Sequence, residues 1–398
     1  MLAGALLTAC DQEVDLDPPK SSTDSSTDRA DAAQKSLDRL VDSLDGGSRD
    51  DAVALAAPGA DALLGWVHDN AESLRLGDLS MRYVDEGAPL GAGEQARFGQ
   101  DAWRGSVQLA YRYEGLDRSP AQVETSAVFV PGDRGARIAG FGGGDARVPL
   151  WLADRLSVVR APQTLLAVAG DSAGRYPALV QQARRQVQKV LPAWNGSLVV
   201  EVPRTRGQLD AAVRAKPGQY DNIAAVTTSA DGSLAQGAPV RVFVNPEVFD
   251  KLKQRGAQVV MSHEATHVAT GATFVSMPTW LLEGFADFVA LDGAGVPVDV
   301  AAGQILKRIR QEGLPKDLPT ASDLDPTATG LGATYEEAWL ACRFLAAEFG
   351  TDRLVRFYRE VSNGASAPDA FRSVVGVSQR EFVRRWRTDL SGLAGVAP

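Results

Sequence analysis

The chain has 398 residues, of which 44% are hydrophobic and 23% are charged, and its formal net charge is −9 at pH 7. These values are typical of a globular protein and leave room for two or three domains. Acidic and basic residues are interspersed, which argues against the concentrated basic face that a nucleic-acid-binding protein needs. The two cysteines, Cys10 and Cys342, exclude a disulfide framework and a cysteine-based zinc site.

The first ten residues read MLAGALLTAC, a short apolar run that ends in small residues before Cys10. This stretch resembles the lipobox of bacterial lipoproteins. The resemblance implies a signal peptide over residues 1–9, lipidation of Cys10 and an extracytoplasmic protein held on the cell membrane by a lipid anchor. The run lacks the basic residue that normally begins a signal sequence, and the alternative is an apolar N-terminus with a chance cysteine.

Residues 11–33 are rich in Ser, Thr, Asp and Pro and contain very few large apolar residues. Such a segment cannot bury enough surface to offset the entropy of ordering it. We therefore predict that residues 10–34 form a lipidated, disordered linker. No later segment has about 20 consecutive apolar residues, so the sequence predicts no transmembrane helix.

Residues 36–76 have helical periodicity, and from about residue 79 the period changes to two. The alternating stretches are LSMRYVDEG, SVQLAYRYEGL and VETSAVFVPGD, with ARIAGFGGGD as a candidate fourth strand. Helices followed by hairpin-linked strands predict an α+β domain over residues 35–160, with helices packed on one antiparallel sheet. The order of elements resembles the NTF2-like fold, and this resemblance rests on the pattern alone.

A second domain is predicted over residues 162–398. Its first half alternates buried strands with helices, and the strands are TLLAVAGD, SLVVEVP, NIAAVTTS and VRVFVN. Its second half is helical, with predicted helices at residues 258–270, 279–291, 300–311, 335–348, 352–361 and 378–390. A Pro-, Thr- and Gly-rich loop covers residues 313–332.

The segment QVVMSHEATHVATGATF holds two of the three histidines, four residues apart, with a glutamate directly after the first. In a helix, His263 and His267 lie on one face one turn apart, where two imidazoles can hold one Zn²⁺. Glu264 lies beside them and can take a proton from water at the metal. The alternative is a pair of histidines that face solvent or pack in the core. Because residues 259–261 are apolar, histidines buried there would need a polar partner.

A catalytic zinc site needs three protein ligands and an open position. Thr273 stands where a histidine of an extended HExxHxxGxxH motif would be, and the remaining histidine, His68, lies in the N-terminal domain. A carboxylate is therefore expected as the third ligand. Glu283 lies in the apolar stretch TWLLEGFADFVAL, where an unpaired charge is costly unless a metal compensates it.

Asp287 lies one helical turn beyond Glu283, and we expect it to accept the free ring N–H of a ligating histidine. The alternative for this pair is a polar stripe on an amphipathic helix.

The segment HEATHVA followed by PTWLLEGFADFVA is similar to the gluzincin pattern and to bacterial peptidase MA-like proteins. This resemblance extends over about residues 164–390. The resemblance implies a zinc metallopeptidase domain with a small mixed sheet, an active-site helix and a helical C-terminal lobe. It implies Zn²⁺ as cofactor and a peptide or protein substrate. In this family an extended substrate pairs with the edge strand of the sheet, for which residues 224–228 and 240–244 are the two candidates here.

Gluzincins also use a tyrosine or histidine to stabilise the oxyanion, and Tyr335 is the candidate for this role. The alternative for Tyr335 is an ordinary aromatic residue near the start of a helix. The predicted function is a membrane-anchored, zinc-dependent metallopeptidase, a metalloendopeptidase-like hydrolase. The alternative function is a catalytically silent zinc-binding scaffold or assembly lipoprotein that acts through its NTF2-like domain.

Overall fold

The structure, a computed structural model of the chain, describes residues 22–133, 135–325 and 328–397. Its N-terminal lobe consists of α1 (Ser22–Leu44), α2 (Arg49–Val53), α3 (Asp61–Leu74), β1 (Leu76–Glu86), α4 (Ala92–Phe98), β2 (Trp103–Tyr113), β3 (Ala121–Gly132), β4 (Gly135–Phe141) and α5 (Leu150–Ala153). The four strands form an antiparallel sheet in the order β1-β2-β3-β4. The predicted arrangement of helices and one antiparallel sheet is confirmed.

The predicted linker is wrong in its second part, because α1 begins at Ser22. Alanines near residue 30 favour helix, and Ala33 is fully buried on the same face as Leu37. The side chain of Gln34 donates to the carbonyl of Met81 at 3.1 Å and accepts from the amide of Tyr83 at 2.7 Å. The composition of the segment predicted disorder because ordering it costs conformational entropy. These contacts with β1 offset that entropy cost.

Residues 1–21 lie outside the described residues, and with them the predicted signal peptide and Cys10. Lipidation therefore stays a prediction. Within the described ranges, no helix has both the length and the apolar character that crossing a bilayer requires.

The second lobe begins with β5 (Leu156–Ala161), β6 (Thr164–Ala169), α6 (Tyr176–Val190), β7 (Leu198–Val202), α7 (Arg206–Val213), β8 (Ala225–Ser229), β9 (Val240–Val244), α8 (Pro246–Phe249) and α9 (Gln254–Thr270). The sheet order is β5-β6-β7-β9-β8, in which β6, β7 and β9 run parallel and the two outer strands run antiparallel to their neighbours. The sheet is therefore mixed, and β8 is an edge strand.

The predicted boundary at residues 160–162 falls at the turn between β5 and β6. Strand β5 forms a hairpin with β6, in which Leu156 pairs with Ala169. Periodicity missed β5 because its burial does not alternate: Val159 is exposed and the other five residues are half-buried.

The C-terminal part is helical, as predicted, and consists of α10 (Thr279–Leu291), α11 (Val298–Ala301), α12 (Gly303–Glu312), α13 (Leu331–Phe349), α14 (Thr351–Ser362), α15 (Ala367–Ala370) and α16 (Gln379–Ala394), with a 3₁₀ turn at Ala272–Phe274 and a π-helical turn at Phe371–Val375. The predicted loop before α13 is held on the helical core by Leu318 and Leu324, which are both buried. Helix α13 begins at Leu331, earlier than Tyr335, where it was predicted to begin.

The second sheet is buried on both faces. On one face, Leu166 and Val200 pack with Met261 of α9, while on the other face Leu165 and Val199 join the core of the N-terminal lobe. Adjacent residues of a strand point to opposite faces of the sheet. The continuous apolar run of β6 therefore places side chains in both cores. This packing holds α9 along the sheet and leaves its opposite side to face α10.

Candidate metal centre

Helix α9 presents His263 and His267 on one face, as their spacing predicted. Their Nε2 atoms lie 2.9 Å apart, and both side chains are largely buried. The helix ends directly after this face, because Gly271 adopts a left-handed conformation (φ 66°) that caps it.

Helix α10 brings the predicted third ligand to the same point. Glu283 Oε2 lies 3.2 Å from His263 Nε2 and 3.6 Å from His267 Nε2. One turn further along α10, Asp287 Oδ1 lies 2.7 Å from His263 Nδ1. The structure therefore brings together all four side chains that the sequence analysis assigned to the metal site and its support.

The donor set fits a tetrahedral zinc ion. Bonds of about 2.0–2.1 Å in a tetrahedron place neighbouring ligand atoms about 3.3 Å apart, and the three observed separations are 2.9, 3.2 and 3.6 Å. With its Nδ1–H assigned toward Asp287, His263 is left with a lone pair on Nε2 that points at this centre. His267 Nδ1 is buried and has no hydrogen-bond partner among the described residues, so its ring lacks the same support.

The charges of the site favour a bound cation. Burial opposes the charged form of His263, but Asp287 and Glu283 outweigh it and hold the pKa of His263 well above its usual range. Burial also acts to raise the pKa of Glu283, yet hydrogen bonds from the two histidines outweigh it and lower that pKa. The two carboxylates thus stabilise positive charge at this site. A divalent ion that displaces the proton of His263 would supply that positive charge in its place.

Glu264 is buried beside the ligands without being one of them. Its Oε2 accepts a 2.6 Å hydrogen bond from Thr227 Oγ1 of β8. Of the two candidates for the edge strand, β8 is the edge and β9 is interior. Sequence reasoning missed Thr227, because the run of threonines in NIAAVTTS does not tell which hydroxyl faces α9.

Tyr335 of α13 lies near the same carboxylates. Burial raises the pKa of its phenol, and the negative charges of Glu283, Asp287 and Glu264 raise it further. The hydroxyl therefore stays protonated and able to donate. His68 lies elsewhere: its Nε2 is 3.3 Å from the carbonyl of Gly47 in the N-terminal lobe.

No protein-family model matches the chain, and no curated protein matches it. Similar solved structures include variants of an M1 zinc metallopeptidase: a two-domain form bound to L-arginine (12% identity, TM-score 0.37), the Deinococcus radiodurans enzyme bound to a Tyr-Ser-Ala substrate (12%, 0.35) and the same enzyme in a further structure (13%, 0.37). Each match covers 72% of this chain and 61% of the other. The chain thus spans less than two thirds of the length of the structures it matches.

Proposed function

We propose that the protein is a zinc-dependent metallopeptidase of the gluzincin type. One observation carries the proposal: one donor atom from each of His263, His267 and Glu283 lies within 4.8 Å of the others, with the carboxylate of Glu264 beside them. Two imidazoles and one carboxylate are a donor set that suits zinc and leaves an open position for chemistry.

Each side chain of the site has a separate role in the proposed reaction. Zn²⁺, when bound, would polarise the scissile carbonyl and acidify a water molecule. Asp287 orients His263 through its Nδ1–H, and Glu264 is the general base that takes a proton from the attacking water and passes it to the leaving amine. Thr227 holds one oxygen of that base. Tyr335 is the candidate donor to the developing oxyanion.

The edge strand β8 can bind an extended peptide next to the proposed metal site. Within the described part of the chain, strand β8 pairs with β9 and with no other strand, and its Thr227 contacts Glu264 directly. An extended substrate that adds to the free edge of β8 through backbone hydrogen bonds would lie alongside the metal. We infer a peptide or protein substrate on this basis.

The test combines metal analysis with cleavage of a mixed peptide library. We expect the purified protein to hold zinc and to cut peptides. Glu264→Gln should keep the zinc and lose cleavage by about 10²–10⁴-fold, because only the proton transfer is removed. His267→Ala should lose zinc and cleavage together. Glu312→Gln, an exposed change of the same kind at the end of α12, is the matched control and should alter neither.

A wild-type protein without zinc under non-chelating conditions would overturn the proposal. Bound zinc with an uncut library and a stable partner in a pull-down would instead favour the alternative, a silent scaffold. In that case the N-terminal lobe, which we infer to be NTF2-like from its helices and antiparallel sheet, would be the binding module.

We further propose that the protein is an extracytoplasmic lipoprotein anchored through Cys10. The sequence MLAGALLTAC and the polar residues after it support this. Cys10→Ser should move the protein from the membrane fraction to the soluble fraction of cells. Cys342→Ala is the control, since Cys342 is a fully buried free thiol. Unchanged membrane partition of Cys10→Ser would contradict the anchor.

A further inference from the structure

A cavity of about 290 Å³ lies against α9 and α10, the two helices that carry the candidate metal ligands. Its walls are the last turn of α9 at Thr270, the ring of Phe285 from α10, Tyr358 from α14 and Trp194 from the connection between α6 and β7. None of the residues assigned above to metal binding or catalysis lines it. The cavity is therefore a separate feature of the helical lobe.

Hydrogen bonds and ring packing join the parts of the cavity wall that come from α9, α10 and α14. Thr270 Oγ1 donates to the carbonyl of Thr266 at 2.9 Å and accepts from Tyr358 Oη at 3.2 Å. The rings of Phe285 and Tyr358 lie 4.4 Å apart, centre to centre. A ligand in this cavity would contact Thr270 of α9 and Phe285 of α10, and it would contact none of the residues assigned to metal binding or catalysis.

The cavity is lined by both apolar and polar side chains, and one charge lies at its rim. Of the residues that the structure describes, Arg359 of α14 is the single charged residue of its lining, and no aspartate or glutamate lines it. Among the described residues, no ion pair or hydrogen bond is formed by the Arg359 guanidinium, and its side chain is exposed. An unpaired guanidinium beside buried aromatic rings is complementary to a ligand with an apolar body and an anionic head.

A second cation, Arg184, contacts Trp194, one of the residues that line the cavity. The guanidinium carbon of Arg184 lies 4.7 Å from the centre of the Trp194 ring. Its donors reach the backbone carbonyls of Gln163 and Gly196 and no carboxylate. Within the described ranges of the chain, the Arg184 guanidinium thus has backbone carbonyls as hydrogen-bond partners and forms no ion pair.

We propose that this cavity is a binding site for a small carboxylate with an aromatic or branched apolar body. The carboxylate pairs with Arg359, and the amide of Asn195 and the hydroxyl of Ser362 at the same rim complete its hydrogen bonds. Ligand pockets commonly measure about 300–1,000 Å³, so this one takes a body the size of one amino-acid side chain. The proposal is independent of the proposed peptidase function, because it uses neither the metal nor Glu264.

The test is calorimetric titration with 3-phenylpropionate, compared with its uncharged amide, in zinc-loaded and in metal-free protein. We expect the carboxylate to bind in about the millimolar range, as fits so small a ligand, and about tenfold more tightly than the amide. Arg359→Gln should abolish that difference. Arg356→Gln, an equal loss of charge on the same helix outside the cavity lining, should leave it intact.

Binding that persists in metal-free protein and depends on Arg359 supports the site. The proposal is overturned by equal affinities for the acid and the amide, or by no heat up to about 10 mM ligand. It is also overturned if binding disappears with the metal, or if Arg356→Gln has the same effect as Arg359→Gln. Since no activity is measured, failure here leaves the peptidase proposal untouched.

Discussion

Asp287 is the side chain on which the orientation of His263 depends. Its carboxylate lies 2.7 Å from His263 Nδ1, which selects the tautomer that leaves Nε2 free for a metal. We expect Asp287→Ala to lower zinc affinity by about 10–100-fold, the usual effect of removing such a partner. Competition with a chromophoric chelator measures this. Asp292→Ala, at the end of the same helix, is the control, and equal affinities for the two variants would contradict the assigned role.

Glu337 of α13 is a buried acid whose ionisation affects stability. Burial raises its pKa to about 7, although Arg308 pairs with it and opposes the shift. Between about pH 4.5 and 7 the folded protein therefore holds a proton that the unfolded chain has lost, so stability falls as pH rises through this window. The expected loss is about 2–3 kcal/mol.

Urea unfolding at pH 5 and pH 8 tests this expectation. Glu337→Gln should lose less stability than the wild type between the two pH values, and comparing the two proteins cancels the contribution of every other titrating group. If the two proteins lose the same stability, Glu337 is not the group responsible.

At the scale of elements, the position of Glu283 depends on how closely α10 approaches α13. A Cβ added to Gly284 would overlap the backbone of Ala338, with its carbonyl carbon at 2.6 Å, and would lie 3.1 Å from Cys342 Sγ. Glycine is therefore required here for close helix packing, although it costs about 1 kcal/mol of helix propensity relative to alanine.

Gly284→Ala should consequently destabilise the protein by about 1–3 kcal/mol through overpacking and displace Glu283 from the histidines, with a loss of zinc affinity. Chemical denaturation and zinc titration measure the two effects. Gly392→Ala in α16 is the matched control, since nothing lies within 4 Å of a Cβ added there. That variant should be as stable as the wild type or more stable. A stable, zinc-binding Gly284→Ala protein would show that the helices can separate without cost.

At the scale of the whole molecule, a buried charge cluster joins the two lobes. Arg241 of β9 donates to both oxygens of Asp117, at 2.8 and 2.6 Å, and Asp117 belongs to the connection between β2 and β3. Glu201 of β7 lies 3.5 Å from the same guanidinium and accepts a 2.8 Å hydrogen bond from Tyr113 of β2. Because these groups are excluded from water, each depends on its partner in the other lobe.

Asp117→Asn should destabilise the protein by about 3–5 kcal/mol, because it leaves the Arg241 charge buried and uncompensated. Asp171→Asn breaks an exposed pair with Arg155 and should cost about 1 kcal/mol or less. Urea denaturation followed by circular dichroism compares them. Equal midpoints for the two variants would show that the cluster does not hold the lobes together.

Local periodicity in the sequence determined most of the helices and strands. It also determined that His263 and His267 share a face, because a spacing of four is one helical turn whatever the helix packs against. Glu283 was found from the sequence for a second reason, since a lone charge in an apolar helix needs a partner wherever that helix lies.

Only the tertiary structure decided which parts of the chain meet. Thr227 reaches Glu264 across 37 residues, and Arg241 reaches Asp117 across 124. The helix over residues that looked like a linker exists because β1 packs against it, and the cavity near Arg359 exists because three helices and a loop leave space between them. No spacing along the sequence encodes such contacts, because they depend on the order of strands in the sheet and on the closeness of helices, which are properties of the packed molecule.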